Sequence, residues 1–389
     1  MRFIKADQIF SLAGEPVKNG VLVLDENGTV SDILPHANDL DAQKLETFPG
    51  FILPGFVNAH CHLELSHLKN KIEKHSGLPE FAQQVVLNRE ANKENVLKAM
   101  HLADEEMYNE GIVAVGDISN CNDSFETKKH SKIYYHTFIE LIGFNPAKAE
   151  NIFRNGIGLL NELRALGLNG SLAPHAPYSV SPELMRKIST HCKQNHFPSS
   201  IHNQECEDEN LFFQNKSGKF LELYSKLGIN ISFFLQQNKN SIQFYITHLK
   251  KIEKLLLVHN TYSTPEDILF AAKNTNELFL CCCINANLFI ENKFPDLNSL
   301  MKSKVKFTVG TDSLAGNDSL SILSELKTIH RIFPGIELNT LFTWACRNGA
   351  KALGIENVFG SFEKGRKPGV LNMSFPEGSF EKSTIKRLV

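Results

Sequence analysis

Eight short apolar runs recur along the chain, at residues 55–60, 112–118, 133–140, 171–175, 199–202, 255–259, 278–284 and 306–311. Longer helix-patterned stretches lie between them. The segment 79–110 is periodic throughout; 181–196 opens with Ser-Pro-Glu and 264–273 with Thr-Pro-Glu-Asp. A Ser or Thr followed by proline in the first turn is a helix start. Parallel strands need crossover connections, so strands alternating with helices predict βαβ units. Eight such units predict an α/β fold, a (β/α)8 TIM barrel. Roughly 250 residues separate His60 from Asp312, about 36 per repeat, which suits a strand, a helix and two loops.

The chain has 389 residues, more than the roughly 250 a barrel takes. Its ends account for the surplus. Strand-like runs at 1–10, 21–25 and 30–34 are separated by Ala13-Gly14, Asn19-Gly20 and Asn27-Gly28 turns. Short β-like pieces return at 358–362 and 370–374. The expected organisation is one small β domain paired from residues 1–53 and 354–389, flanking a barrel over 54–353.

Lys and Arg number 41 against 43 Asp and Glu, a formal charge of −2. No basic excess exists to track phosphates, so nucleic acid is not an expected partner. The first ten residues lack the pattern of a secretion signal. The longest apolar runs are too short to span a bilayer. A cytoplasmic protein acting on a small molecule is the expectation, without membrane partners and with a homodimer left open. The eight cysteines include no C-x-x-C pair. They are expected to be reduced and mostly buried, with 281–283 in a buried strand.

Polar residues of metal-binding type stand where the apolar runs end. The first run ends in Asn58-Ala59-His60-Cys61-His62, and residues i and i+2 of a strand share a face. The fifth ends in His202-Asn203-Gln204-Glu205, the sixth in His259-Asn260 and the eighth in Gly310-Thr311-Asp312. Barrel active sites lie at the C-terminal ends of the strands, so these residues are predicted to meet. Any one of them alone reads as a structural histidine, a solvated carboxylate or a cap. Their joint occurrence at four strand ends carries the prediction of a site.

The stretch Pro54-Gly55-Phe56-Val57-Asn58-Ala59-His60-Cys61-His62 resembles the first motif of the amidohydrolase superfamily. His202-x-x-Glu205, Val258-His259-Asn260 and Gly310-Thr311-Asp312-Ser313 follow in that superfamily's order and resemble its deaminase and chlorohydrolase branch. The β-rich ends, 1–53 and 354–389, resemble its split β-sandwich, and Gly360-Ser361-Phe362-Glu363-Lys364-Gly365 is similar to its C-terminal turn. The resemblance implies that His60, His62, His202 and Asp312 bind one divalent metal, Zn²⁺ by its donors, with Fe²⁺ also compatible. It implies a metal-activated hydroxide, Asp312 as acceptor of the water proton, Glu205 as proton donor to a ring nitrogen, and His259 as a hydrogen-bonding partner of the water or the oxyanion. No lysine follows the fourth run, Leu172-Ala173-Pro174-His175, which argues against a second, carbamate-bridged metal.

The implied activity is hydrolytic deamination of an amino-substituted heterocycle, in particular a purine nucleoside-like compound, with 6-amino-6-deoxyfutalosine as a candidate. His175, Glu64 and Ser66 are the expected substrate contacts, Glu64 by accepting two ribose hydroxyls. Asn287, after the seventh run, reads as a turn cap, with a place lining the mouth of the site as the alternative. A chlorohydrolase or cyclic-amide hydrolase of the same superfamily is the alternative chemistry, and a non-enzymatic barrel scaffold the alternative class. The phenylalanine-rich segment 206–250 reads equally as a lid or as outer-layer helices.

Overall fold

The computed structural model describes residues 1–38 and 40–389. The N-terminal segment gives β1 (Arg2–Ile9), β2 (Val17–Lys18), β3 (Val21–Leu24), β4 (Val30–Leu34) and β5 (Leu45–Pro54). The eight middle strands are β6 (Phe56–Cys61), β7 (Ile112–Ser119), β8 (Tyr134–Leu141), β9 (Asn169–Pro174), β10 (Ser199–Asn203), β11 (Lys254–His259), β12 (Glu277–Cys282) and β13 (Lys306–Val309). The chain closes with β14 (Val370–Met373) and β15 (Ile385–Arg387).

Every apolar run of the middle chain overlaps one of the strands β6 to β13. They form two four-stranded parallel sheets, β6-β7-β8-β9 and β10-β11-β12-β13. The sheets meet at two seams. At one, Cys61 bridges Asp312 in parallel, and the N–H groups of Thr311 and Asp312 both donate to the His60 carbonyl, at 3.0 and 3.1 Å. At the other, His202 N–H donates to the His175 carbonyl at 3.0 Å. Val57, Ala59, Phe138, Ala173, Leu256, Val258, Phe279 and Cys281 pack into one buried cluster. Parallel strands buried on both faces explain why the runs are continuously apolar rather than alternating. Gly310 is needed at the first seam: a Cβ there would lie 2.9 Å from the His60 Cβ, the His60 carbonyl and the Cys281 sulfur.

The helix starts are as expected. Ser181 caps the helix Pro182–Asn195, and Thr264 forms a reciprocal capping box with Asp267. Three expectations need correction. The helix expected over 79–110 is two, Leu78–Asn88 and Lys93–Asn109. Asn92 caps the second through the N–H groups of Glu94 and Asn95, and the break lets Arg89 reach Glu64. The strand expected to reach residue 284 stops at Cys282, and Ile284 opens the helix Ile284–Glu291. No strand forms over 358–362.

The terminal segments do pair with each other, in the order β15-β14-β5-β1-β3-β4 with β2 beside β1. Where the sequence predicts a sandwich, the structure shows one seven-stranded, hydrogen-bonded sheet. β5 was hidden by Pro49-Gly50 and Pro54, which read as breakers. It tolerates them in part because the Gly50 N–H donates to Asp7 Oδ2 at 2.7 Å rather than to the strand ladder.

Within 206–250, the helices Glu207–Asn215, Phe220–Lys226 and Ser241–Tyr245 lie above the strand ends. Phe212, Phe213 and Phe220 are fully buried in an apolar cluster with Phe144, Tyr178, Tyr224, Leu78 and Phe81. Tyr178 stacks on Phe220 with ring centres 4.2 Å apart. The aromatic faces are therefore used in packing. No helix is long and apolar enough to cross a membrane, among the described residues.

All eight cysteines are free, and only Cys121 is partly exposed. Burial pushes the Cys121 and Cys192 thiols up to about 12. Thiolate is the reactive form. Titration of the native protein with a chromogenic disulfide should therefore label at most one group, slowly, and all eight after unfolding. Rapid native labelling of two or more groups would contradict the packing.

Candidate active site

The three histidines predicted to converge do so. His62 Nε2 lies 3.1 Å from His60 Nε2 and 3.3 Å from His202 Nε2. Asp312 Oδ1 lies 3.5 Å from His62 Nε2 and 3.8 Å from His60 Nε2. Burial, followed by the neighbouring imidazoles, holds His60 and His62 well below their ordinary values; His202 is pushed down to about 4. Neutral rings with facing nitrogens repel unless a cation lies between them. Around an ion with metal–nitrogen bonds of about 2.0–2.1 Å, tetrahedral donors stand about 3.3–3.4 Å apart. The donor set and its spacing fit a divalent metal. His202 Nδ1 hydrogen-bonds the His175 carbonyl at 2.7 Å, a contact that fixes the ring with its Nε2 lone pair free.

Glu205, His259 and Asp312 form an adjoining buried group. His259 Nε2 is 3.4 Å from Glu205 Oε2. His259 Nδ1 donates to Asn287 Oδ1 at 2.7 Å, which leaves Nε2 as an acceptor. Burial pushes Glu205 well above the usual carboxylate range, and the Asp312, Glu291 and Glu209 carboxylates add to this. Asp312 is raised to about 7, chiefly by burial. A buried carboxyl that keeps its proton near neutrality is suited to general-acid work.

The backbone at these strand ends is strained. Gln204, His259, Asn260 and Asp312 take φ of +44°, +73°, +59° and +58°. Such conformations persist only when their surroundings over-determine them. Asn203 Nδ2 donates to Asn260 Oδ1 and Ser263 Oγ, each at 3.0 Å, while Tyr245 donates to Asn203 Oδ1 at 2.8 Å. Glu209 Oε1 accepts the Gln204 N–H at 3.0 Å.

The residues expected to face substrate are less uniform. His175 lies beside His202, ring centres 4.9 Å apart, with Nδ1 2.6 Å from Ser179 Oγ. Ser66 is buried and donates to the Leu63 carbonyl at 2.8 Å. Glu64 is buried too. Its Oε2 accepts from Arg89 at 2.9 Å and the Asn120 N–H at 3.1 Å, and its Oε1 from the Cys121 N–H at 3.3 Å. A carboxylate offers about four lone-pair sites, so about one stays free, on Oε1. Glu64 also edges a cavity of about 480 Å³ with His67, Arg89, Lys93, Cys121 and Asp123.

Five contributors were not assigned from the sequence. Asn58 clamps Thr311 from both sides, through Nδ2 at 2.7 Å and Oδ1 at 3.1 Å. Asn287, read as a turn cap, is fully buried against His259. Asp117 holds the Leu63 N–H at 2.8 Å and is itself paired with the buried Lys128 at 2.7 Å. Arg89 braces Glu64. Glu140 ends β8 with its Oε1 3.7 Å from His202 Nδ1. A carboxylate at the end of an apolar strand was the signal for Glu140 and Asp117, and Asn58 stands within the first motif; Asn287 and Arg89 are marked only by their place in space.

The sequence profile of the amidohydrolase family matches residues 51–371. The chain is 28% identical to an adenosine deaminase of Helicobacter pylori (strain ATCC 700392 / 26695) over 347 residues, 88% of this chain and 82% of that protein. The fold is similar to the crystal structure of Helicobacter pylori aminofutalosine deaminase in complex with methylthio-coformycin. That match has a TM-score of 0.84 at 25% identity and covers 98% of this chain and 94% of that one. An adenosine deaminase from Xanthomonas campestris with bound zinc aligns with a TM-score of 0.75 at 21% identity, over 98% and 86% of the two chains. This last likeness bears on fold alone. With the two parallel half-sheets, these matches make the architecture an α/β barrel of the TIM type.

Replacing Asn287 with alanine strands the buried His259 Nδ1–H without its acceptor. A lost partner of this kind costs about 1–3 kcal/mol. Asn287→Ala should lower the denaturation midpoint accordingly and abolish the protected imidazole N–H proton of His259 in NMR spectra. Survival of that protected signal would show that another group fixes the ring.

Proposed function

The chain belongs to the amidohydrolase family, and on that premise we propose that it hydrolytically deaminates a purine nucleoside-like compound, with 6-amino-6-deoxyfutalosine as the leading candidate. One observation carries the reading: three imidazole Nε2 atoms converge beside a buried carboxyl group, Glu205, that burial pushes well above the usual carboxylate range. The names of the relatives, adenosine deaminase and aminofutalosine deaminase, support an aminopurine substrate. We read residues 54–353 as the barrel that carries the reaction, and 1–53 with 354–389 as its small β companion, the counterpart of the family's sandwich.

In this reading His60, His62, His202 and Asp312 hold one divalent metal, zinc by the character of the donors. When bound, it supplies Lewis acidity that brings the pKa of a water close to neutrality. The Asp312 carboxylate orients that water and takes its proton. His259, whose Nδ1–H is committed to Asn287, accepts a hydrogen bond from the water at Nε2 and is no donor to an oxyanion. Glu205 delivers its proton to the ring nitrogen next to the amine-bearing carbon, so that charge does not build up on the ring as the C–O bond forms. Asp312 passes the proton it took to the amine, the C–N bond breaks and ammonia leaves, and the remaining hydroxyl proton restores Glu205 as the carbonyl forms. His175, Ser66 and Glu64 lie on the substrate side. The one acceptor site left on Glu64 suits one ribose hydroxyl rather than the expected two.

Two measurements test these roles. Glu205→Gln keeps the side-chain shape but cannot carry the proton; turnover should fall about 10²–10⁴-fold while metal stays bound. His60→Ala should lose most of the bound metal. A Glu205→Gln enzyme within threefold of the parent would remove Glu205 from the acid role.

The substrate side is tested by comparing adenine nucleosides with free adenine in an ammonia-release assay, with a chlorotriazine and a cyclic amide as counter-substrates. Glu64→Ala should lower kcat/KM about tenfold or more for the nucleoside, as expected for a hydrogen bond to a charged group, and leave free adenine unchanged. Equal losses would count against the ribose contact. Release of chloride without ammonia would move the chain to chlorohydrolase chemistry.

A further inference from the structure

Glu140 is buried at the end of β8, with Oε2 accepting from Asn120 Nδ2 at 2.8 Å. Its Oε1 has no hydrogen-bond partner and points at His202, 3.7 Å from Nδ1. That Nδ1 is already engaged by the His175 carbonyl. Two nearby buried carboxylates have a cation: Glu64 pairs with Arg89 at 2.9 Å, and Asp117 with Lys128 at 2.7 Å. Glu140 makes no ion pair with lysine or arginine among the described residues. Burying a charge without compensation is costly, so an unpaired buried carboxylate beside a ligand histidine calls for an opposite charge nearby.

The donor set lacks its counterpart. Three neutral imidazoles and Asp312 bring one negative charge to an ion that carries two positive ones. Glu140 stands behind His202, on the side away from the converging Nε2 atoms, and its charge completes the balance. We infer that Glu140 is the second counter-charge of the cation, a positioning residue that acts through His202 to hold the ion without touching it. Carboxylates behind ligand histidines raise the basicity of the ring and steady its orientation. The inference rests on the reading of His202 as a ligand, and it assigns to β8 a part in the site that the motifs do not mark.

The test is the affinity of the metal-stripped full chain for Zn²⁺, measured by competition with a chromophoric chelator, independent of turnover. Glu140→Gln should weaken binding about 10–100-fold, the usual effect of losing such a partner. The melting temperature of the metal-free protein serves as the folding control. Glu140→Asn replaces it where the glutamine does not fold, and the same loss is expected. Glu140→Asp keeps the charge and should recover most of the affinity. Neutral variants within threefold of the parent, or an aspartate variant as weak as the glutamine, would overturn the inference while leaving the ligand reading intact. A parent chain that binds no Zn²⁺ would overturn both.

Discussion

The carbonyl oxygen of His60 accepts two backbone hydrogen bonds, from the N–H groups of Thr311 and Asp312. The geometry of the site depends on that contact. It joins the first and last strands of the barrel and sets the Asp312 carboxylate beside His60 and His62. Asn58 locks the same junction through Thr311, and Gly310 lets the two backbones approach. At the other seam the carbonyl of His175 plays a matching part, taking both the N–H and the Nδ1 of His202. Asp312 and His202 are thus each held by main chain from a neighbouring strand end, which is more rigid than a side-chain contact because the ladder fixes it.

Burial gives this rigidity its chemical effect. Desolvation drives the histidines toward neutrality, the state metal binding requires, and pushes Glu205 toward its protonated form, the state proton donation requires. The same burial makes every unpaired group expensive, so the surrounding polar residues are heavily committed. Asn203, Asn260, Ser263 and Tyr245 bind one another, Glu209 holds Gln204, and Lys128 neutralises Asp117 beneath the loop that carries His62 and Leu63. Positive φ at Gln204, His259, Asn260 and Asp312 is retained inside this network. The helices over 206–250 contribute through Glu209, which links their aromatic packing to the peptide that precedes Glu205.

Beside the ligands, the break between the helices Leu78–Asn88 and Lys93–Asn109 shapes the approach. Arg89 turns inward there and ties Glu64 to Asn120, which in turn holds Glu140. A continuous helix would carry Arg89 past this point. Glu64 and Glu140 are therefore joined by one chain of charged and amide groups.

The sequence alone determined the repeat and the residues that converge at its strand ends. A strand buried on both faces must be continuously apolar, so β6 to β13 were visible as runs, and polar residues can end such a strand only where a site or solvent receives them. His60, His62, His202, Glu205, His259 and Asp312 were legible for that reason. What the sequence could not supply was everything set by proximity between distant segments. Asn287 looks like any cap until His259 is seen against it, and Glu64 looks free until Arg89 arrives from a helix break. Pro49 and Gly50 concealed β5, because the residue that takes the Gly50 N–H, Asp7, lies more than forty positions away. Glu140 was in view at its strand end, yet only the tertiary structure puts it behind His202. Periodicity records whether a residue is buried; partnership depends on which strands lie side by side, and that is decided when the barrel folds.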